Sequence, residues 1–191
     1  MGILSRKSPR GAAASEKDLG ITRKYSLAGG RSYVVEESPP DISFDAFVNI
    51  ISTVGEGGKK AVGLAVSRQH PDLIRQKYGL EATPIYWLAT RAGQEVISPT
   101  NLGILTNTIV SFVESNPSGV VLLDGIEYLV SNNDFNKVLR VIDQVNDHIA
   151  QSHAIMILPV DPRAFDTKEI ALLERNMERM ASGSRKAKAP A

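Results

Sequence analysis

The stretch Val120-Val121-Leu122-Leu123-Asp124 is four apolar residues closed by an acid. A strand with one face in water alternates apolar and polar residues. A strand without alternation is covered on both faces, as happens when helices pack on both sides of a sheet. Working outward from residues 120–124, similar runs recur. Residues 32–36 (Ser-Tyr-Val-Val-Glu), 61–66, 84–89 (Pro-Ile-Tyr-Trp-Leu-Ala) and 154–158 all read as strands.

Helical patterns separate these runs. Ser43 is placed to cap a helix through about Val54, with Phe44, Phe47, Val48 and Ile51 at i, i+3, i+4 and i+7. Pro71 suits a first helical turn, and Gly79 stands where a C-cap glycine belongs. Ser98-Pro99 again reads as cap and first turn, with Leu102, Leu105, Ile109, Phe112 and Val113 as the buried stripe. Asn133 or Asp134 opens a helix that turns Phe135, Val138, Leu139, Ile142, Val145 and Ile149 inward. Asp166 with Glu169 forms a capping box for a last helix reaching Met180. Strict alternation of strand and helix predicts a three-layer αβα domain around a five-stranded parallel sheet with right-handed crossovers.

Composition bounds the chemistry. The chain has 191 residues, a net charge of +1, 42% hydrophobic and 23% charged residues, and no cysteine. One domain of this size buries a core without disulfides or metal. The missing cysteine excludes thiolate nucleophiles, iron–sulfur clusters and cysteine zinc sites. The apolar runs fall far short of the roughly 20 residues that span a bilayer. Met1-Gly2-Ile3-Leu4-Ser5-Arg6 lacks the apolar core of a signal peptide, and Arg6 breaks the myristoylation pattern. These features point to a cytoplasmic protein with no membrane partner.

The small net charge is a sum over unlike parts. Residues 1–20 carry +2 and residues 181–191 carry +3, which leaves −4 on residues 21–180. Both ends lack an apolar period, so they read as disordered basic tails flanking an α/β domain. The tails could meet nucleic acid, but an acidic body behind two short basic arms makes a poor dedicated nucleic-acid binder.

In parallel sheets, ligands bind beyond the carboxyl ends of the strands. Those ends here are Glu36-Glu37, Ser67-Arg68, Thr90-Arg91, Asp124-Gly125 and Pro159-Val160-Asp161-Pro162. A phosphate loop needs G-x-x-x-x-G-K-[ST] between a strand and a helix, so that backbone N–H groups and a lysine converge on the phosphates. After residues 32–36 the chain has Glu37-Ser38-Pro39-Pro40-Asp41-Ile42-Ser43, with no glycine or lysine, two prolines and added acids. Gly55-Glu56-Gly57-Gly58-Lys59-Lys60 follows a helix and precedes a strand, which is the wrong context. Residues 120–124 have the form of a Walker B strand, whose acid can hold Mg²⁺ near a nucleotide. Alone, that form does not separate such a role from a turn cap. His70, His148 and His153 have no partner at metal-ligand spacing, and no G-x-S-x-G elbow is present. The residues therefore imply no cofactor, no metal and no catalytic set. Trp87 and Tyr86 read as core and rim packing.

Three stretches together resemble an archaeal family, domain of unknown function 835. They are residues 30–37 (Gly-Arg-Ser-Tyr-Val-Val-Glu-Glu), residues 63–68 with Pro71, Ile74-Arg75, Tyr78-Gly79-Leu80, Thr83-Pro84-Ile85 and Trp87-Leu88, and residues 122–129 continuing to Pro159-Val160-Asp161-Pro162 and Leu172-Leu173-Glu174-Arg175. Ala65-Val66-Ser67 departs conservatively from a Cys-Ile-Thr-like run. That family's layout is similar to a RecA/KaiC-type ATPase core without its phosphate loop. Counting the five strands in chain order, the resemblance implies the order 3-2-4-5-1. It places Asp124 at the Walker B position and Ser67-Arg68 where the catalytic glutamates follow strand two in the ATPases. It implies a non-catalytic regulatory or scaffolding domain in archaeal signalling, acting through a protein partner or self-association. A small-anion or nucleotide site at the strand ends is the alternative, with Glu37, Ser67, Arg68, Asp124, Glu127 and Asp161 around a cleft and Arg68 meeting the anion.

Overall fold

The computed structural model describes residues 24–180, apart from residues 26, 54–57 and 59. The two basic tails, the end of the first predicted helix at Val54 and most of the Gly55–Lys60 turn lie outside the described residues.

Seven parallel strands form one sheet. They are β1 (Arg31–Glu36), β2 (Gly63–Ser67), β3 (Ile85–Leu88), β4 (Val96–Ile97), β5 (Val120–Leu123), β6 (Ile155–Val160) and β7 (Glu178–Arg179), in the order β4-β3-β2-β5-β6-β1-β7. The inner five, β3-β2-β5-β6-β1, have the expected 3-2-4-5-1 order. The prediction of five strands is corrected by one strand at each edge. Each added strand is only two residues long, too short to carry a pattern of its own. The register sets Val121 beside both Leu64 and Met156, so the apolar run at residues 120–123 lies at the centre of the sheet.

Alternate strand residues feed two cores. One face carries α1 (Asp41–Ser52) and α2 (Pro71–Tyr78), which bury Phe44, Phe47 and Ile74 against Tyr33, Val35, Ala65, Ile85 and Leu122. The other carries α3 (Leu102–Ser115), α4 (Ile126–Asn132), α5 (Phe135–Ala150) and α6 (Thr167–Glu174), which cover Val34, Leu64, Val66, Val121, Met156 and Leu158. Each large side chain fully removed from water in these layers contributes about 2 kcal/mol of transfer free energy.

Several helix ends differ from the sequence expectation. α1 begins at Asp41, and Ser43 is buried inside its first turn instead of capping it. α3 begins at Leu102, because the Asn101 side chain accepts the Ile104 N–H. α2 matches closely, with Pro71 in the first turn and Gly79 in the left-handed conformation (φ 68°). The Asp166–Glu169 capping box is formed. That helix stops at Glu174, short of Met180. The chain then extends so that Met180 N–H bonds to the Val34 carbonyl and its side chain is buried. Edge pairing with β1 thus prevails over continued helix.

Candidate functional site

Three strands end beside one another, and each delivers an acid. β5 ends at Leu123, and Asp124 follows, its N–H bonded to the Val66 carbonyl at 2.8 Å. Gly125 then turns the chain at φ 103° into α4. A side chain there would meet Arg68 Cβ at 3.1 Å and Leu88 Cδ1 at 3.3 Å, so glycine is required by both conformation and space. The turn places Glu127 on the first turn of α4 and buries Ile126 completely. Asp161 follows β6, and Glu37 follows β1. Glu37, Asp124, Glu127 and Asp161 surround a cavity of about 170 Å³, closed by Ser38, Pro40 and Pro159.

Each acid is held differently. Pro40 occupies the N-cap position of α1 and supplies no side-chain cap. Glu37 fills that role from the turn: its two carboxylate oxygens accept the N–H groups of Ile42 (2.7 Å) and Ser43 (2.8 Å). Glu127 Oε1 accepts the Asp161 N–H at 2.6 Å. Asp161 accepts two bonds from the Arg163 guanidinium, at 2.9 and 2.6 Å, which hold its carboxyl far below the usual carboxylate range. Asp124 is 9% exposed and accepts the Ser67 hydroxyl. Burial pushes its carboxyl up to about 6, opposed by the Ser67 hydroxyl and reinforced by the Glu127 charge.

Four of the six residues expected at the cleft line the cavity: Glu37, Asp124, Glu127 and Asp161. Ser67 reaches it through Asp124. Arg68 is the exception and is corrected: it does not line the cavity. Its guanidinium lies 4.4 Å from the Tyr128 ring centroid and donates to the Leu88 carbonyl at 3.2 Å. It belongs to a second cluster over the ends of β2 and β3. There the Trp87 indole N–H donates to the Arg68 carbonyl at 3.1 Å. The His70 ring sits edge-on to Trp87 at 4.7 Å, and Arg91 lies over Trp87 at 5.9 Å. The sequence reading assigned Trp87 to packing and left Tyr128 out. The available signal was that Arg68 and Arg91 both stand just beyond strand ends.

As a chemical device, the cavity offers one carboxyl that exchanges its proton near pH 6 beside others held by N–H groups and a guanidinium. Among the described residues, no three His, Cys, Asp or Glu side chains stand together as metal ligands. No described helix is long and apolar enough to cross a membrane.

The strand order and the helices on both faces define the class: a three-layer α/β domain whose fold is shared with a KaiC-like protein, with an acidic, proline-bearing turn between β1 and α1. Residues 43–177 match the family described as a protein of unknown function, DUF835, and the chain belongs to that family. Among solved structures, it resembles a Pyrococcus horikoshii protein from a structural-project study. That match has TM-score 0.51 and 12% identity, over 79% of this chain and 80% of the other. It also resembles a KaiC-like protein of the same archaeon, with TM-score 0.52, 13% identity and 72% of this chain covered, which spans 65% of that protein. No curated protein matches.

Proposed function

We propose that this chain is a non-catalytic regulatory or scaffolding domain of archaeal signalling, working in the cytoplasm through protein–protein contact. The observation that carries the reading is the position of the Glu37 carboxylate. It occupies the N–H groups that open α1, where a strand–loop–helix nucleotidase would hold phosphate. A nucleotide would have to displace this internal anion, and the turn has no lysine to compensate. β2 ends at Ser67, which is buried and spent on Asp124, and Arg68 follows it, so this strand end supplies no carboxylate to orient water. The fold is retained while the groups that would make it a nucleotidase are replaced by internal contacts. That pattern suits a domain whose surface is its product.

Two measurements test this. Millimolar ATP or GTP with Mg²⁺ should leave the melting temperature unchanged and release no phosphate. Affinity capture from native archaeal lysate, or light scattering of the purified chain, should show a specific partner or self-association. Nucleotide-dependent stabilisation, or a strict monomer that captures nothing, overturns the proposal.

A further inference from the structure

The carboxyl edge of the sheet is electrically divided. Over β2 and β3, Arg68 and Arg91 are exposed and rest on the Tyr128 and Trp87 rings. The ion pairs at this end, among the described residues, are those of Arg75 with Asp72 and Glu95. Among the described residues, neither Arg68 nor Arg91 has a carboxylate partner. Over β6 and β1, Glu37, Glu127 and Asp161 border the cavity above Asp124. At that end Arg163 pairs with Asp161 and Arg179 with Glu36, which leaves Glu37 and Glu127, among the described residues, as the bordering acids without a cation.

We propose that this edge is a docking face for a second copy of the same chain, with the Arg68–Arg91 end of each copy over the Glu37–Glu127–Asp161 end of the other. A two-fold axis near the middle of the edge, where Ser67 meets Asp124, reverses the strand order and lays unlike charges together at both ends. An isologous contact must be self-complementary, and a patch of two opposite halves is. A uniformly acidic partner would be repelled over the cavity, and a uniformly basic one over the arginines. The occupant must therefore be bipolar with this spacing, and the chain itself carries such a face. The cationic end also has the residue types that dominate binding energy at interfaces, Trp, Tyr and Arg. The inference rests on the interaction reading above and names its partner and surface.

Sedimentation velocity over a concentration series at low and high salt tests the pairing. The full chain should show reversible dimerisation that weakens by about tenfold or more in high salt. Arg68→Glu with Arg91→Glu should abolish it, as should Glu127→Lys. Ser38→Lys places a cation at the same mouth and leaves the Glu127–Asp161 bond intact, which guards against a folding defect. The deciding arm mixes the Arg68→Glu/Arg91→Glu chain with a chain carrying both Ser38→Lys and Glu127→Lys, whose mouth then sets two lysines and Arg163 against Glu37 and Asp161. In that pair both halves of the contact are complementary again, so a heterodimer forms from two chains that are each monomeric. A monomeric full chain, a dimer indifferent to these substitutions, or a mixture that stays monomeric overturns the proposal. Capture of a different protein by a monomeric full chain would overturn it while leaving the interaction function standing.

Discussion

Glu37 and Asp124 follow two strands of one sheet and line one cavity, yet their surroundings are opposite. Glu37 faces two backbone N–H groups at a helix start and accepts both. Asp124 is buried and shares the cavity with Glu127, and the Ser67 hydroxyl, the Gln69 side chain and the Arg68 N–H only partly offset its desolvation. The first acid is part of the scaffold. The second is kept at the cost of stability whenever it is ionised. The contrast shows that the cavity is a built mixture of satisfied and unsatisfied charge, and substitutions can pull its parts separately.

The largest expected effect is at Asp124. Its folded carboxyl keeps its proton up to about pH 6, while the unfolded chain releases it near 3.8. The folded state therefore binds more protons between those values, and this contribution to stability falls as pH rises through that window. Asp124→Asn, which stays neutral, should stabilise the protein by up to about 3 kcal/mol at alkaline pH and change little at acid pH, read by urea denaturation across pH. A loss of stability at alkaline pH would break the comparison. Ser67→Ala removes the hydroxyl donor to the same carboxylate and should cost about 2 kcal/mol at alkaline pH but less where Asp124 is protonated. Glu37→Ala should have the opposite sign to Asp124→Asn, costing about 1.5 kcal/mol because two N–H groups at the start of α1 lose their acceptor. Asp166→Ala removes an ordinary N-cap away from the cavity. It should cost about 1 kcal/mol in the same urea series, which calibrates how much of the Glu37 effect is capping alone.

The inner sheet was legible because residues 120–123 and their neighbours are apolar throughout, a pattern few other environments accept. The order of those strands followed from the family resemblance, since an apolar pattern alone leaves order open. α4 was missed because it begins at Ile126, directly after Gly125, and has no side-chain cap to announce it. The cap of α1 was misassigned to Ser43 because the true acceptor, Glu37, reaches back across two prolines from outside the usual N-cap position. Asp124, Glu127, Asp161 and Glu37 were legible as a group because each lies close after a strand end. The direction of Arg68 was not, since it depends on the Tyr128 ring of a helix far along the chain.

The place of β1 has a consequence for how the chain is made. Arg31 stands opposite Ile155 and Tyr33 opposite Glu178, so the first of the described strands is flanked by the last two. The pairings of β2 with β3 and β5 close much earlier in the sequence. On the ribosome, β1 and its buried Tyr33, Val34 and Val35 must wait until almost the whole domain has emerged. The sheet is thus completed by a long-range closure around β1, the costliest kind of contact in chain entropy.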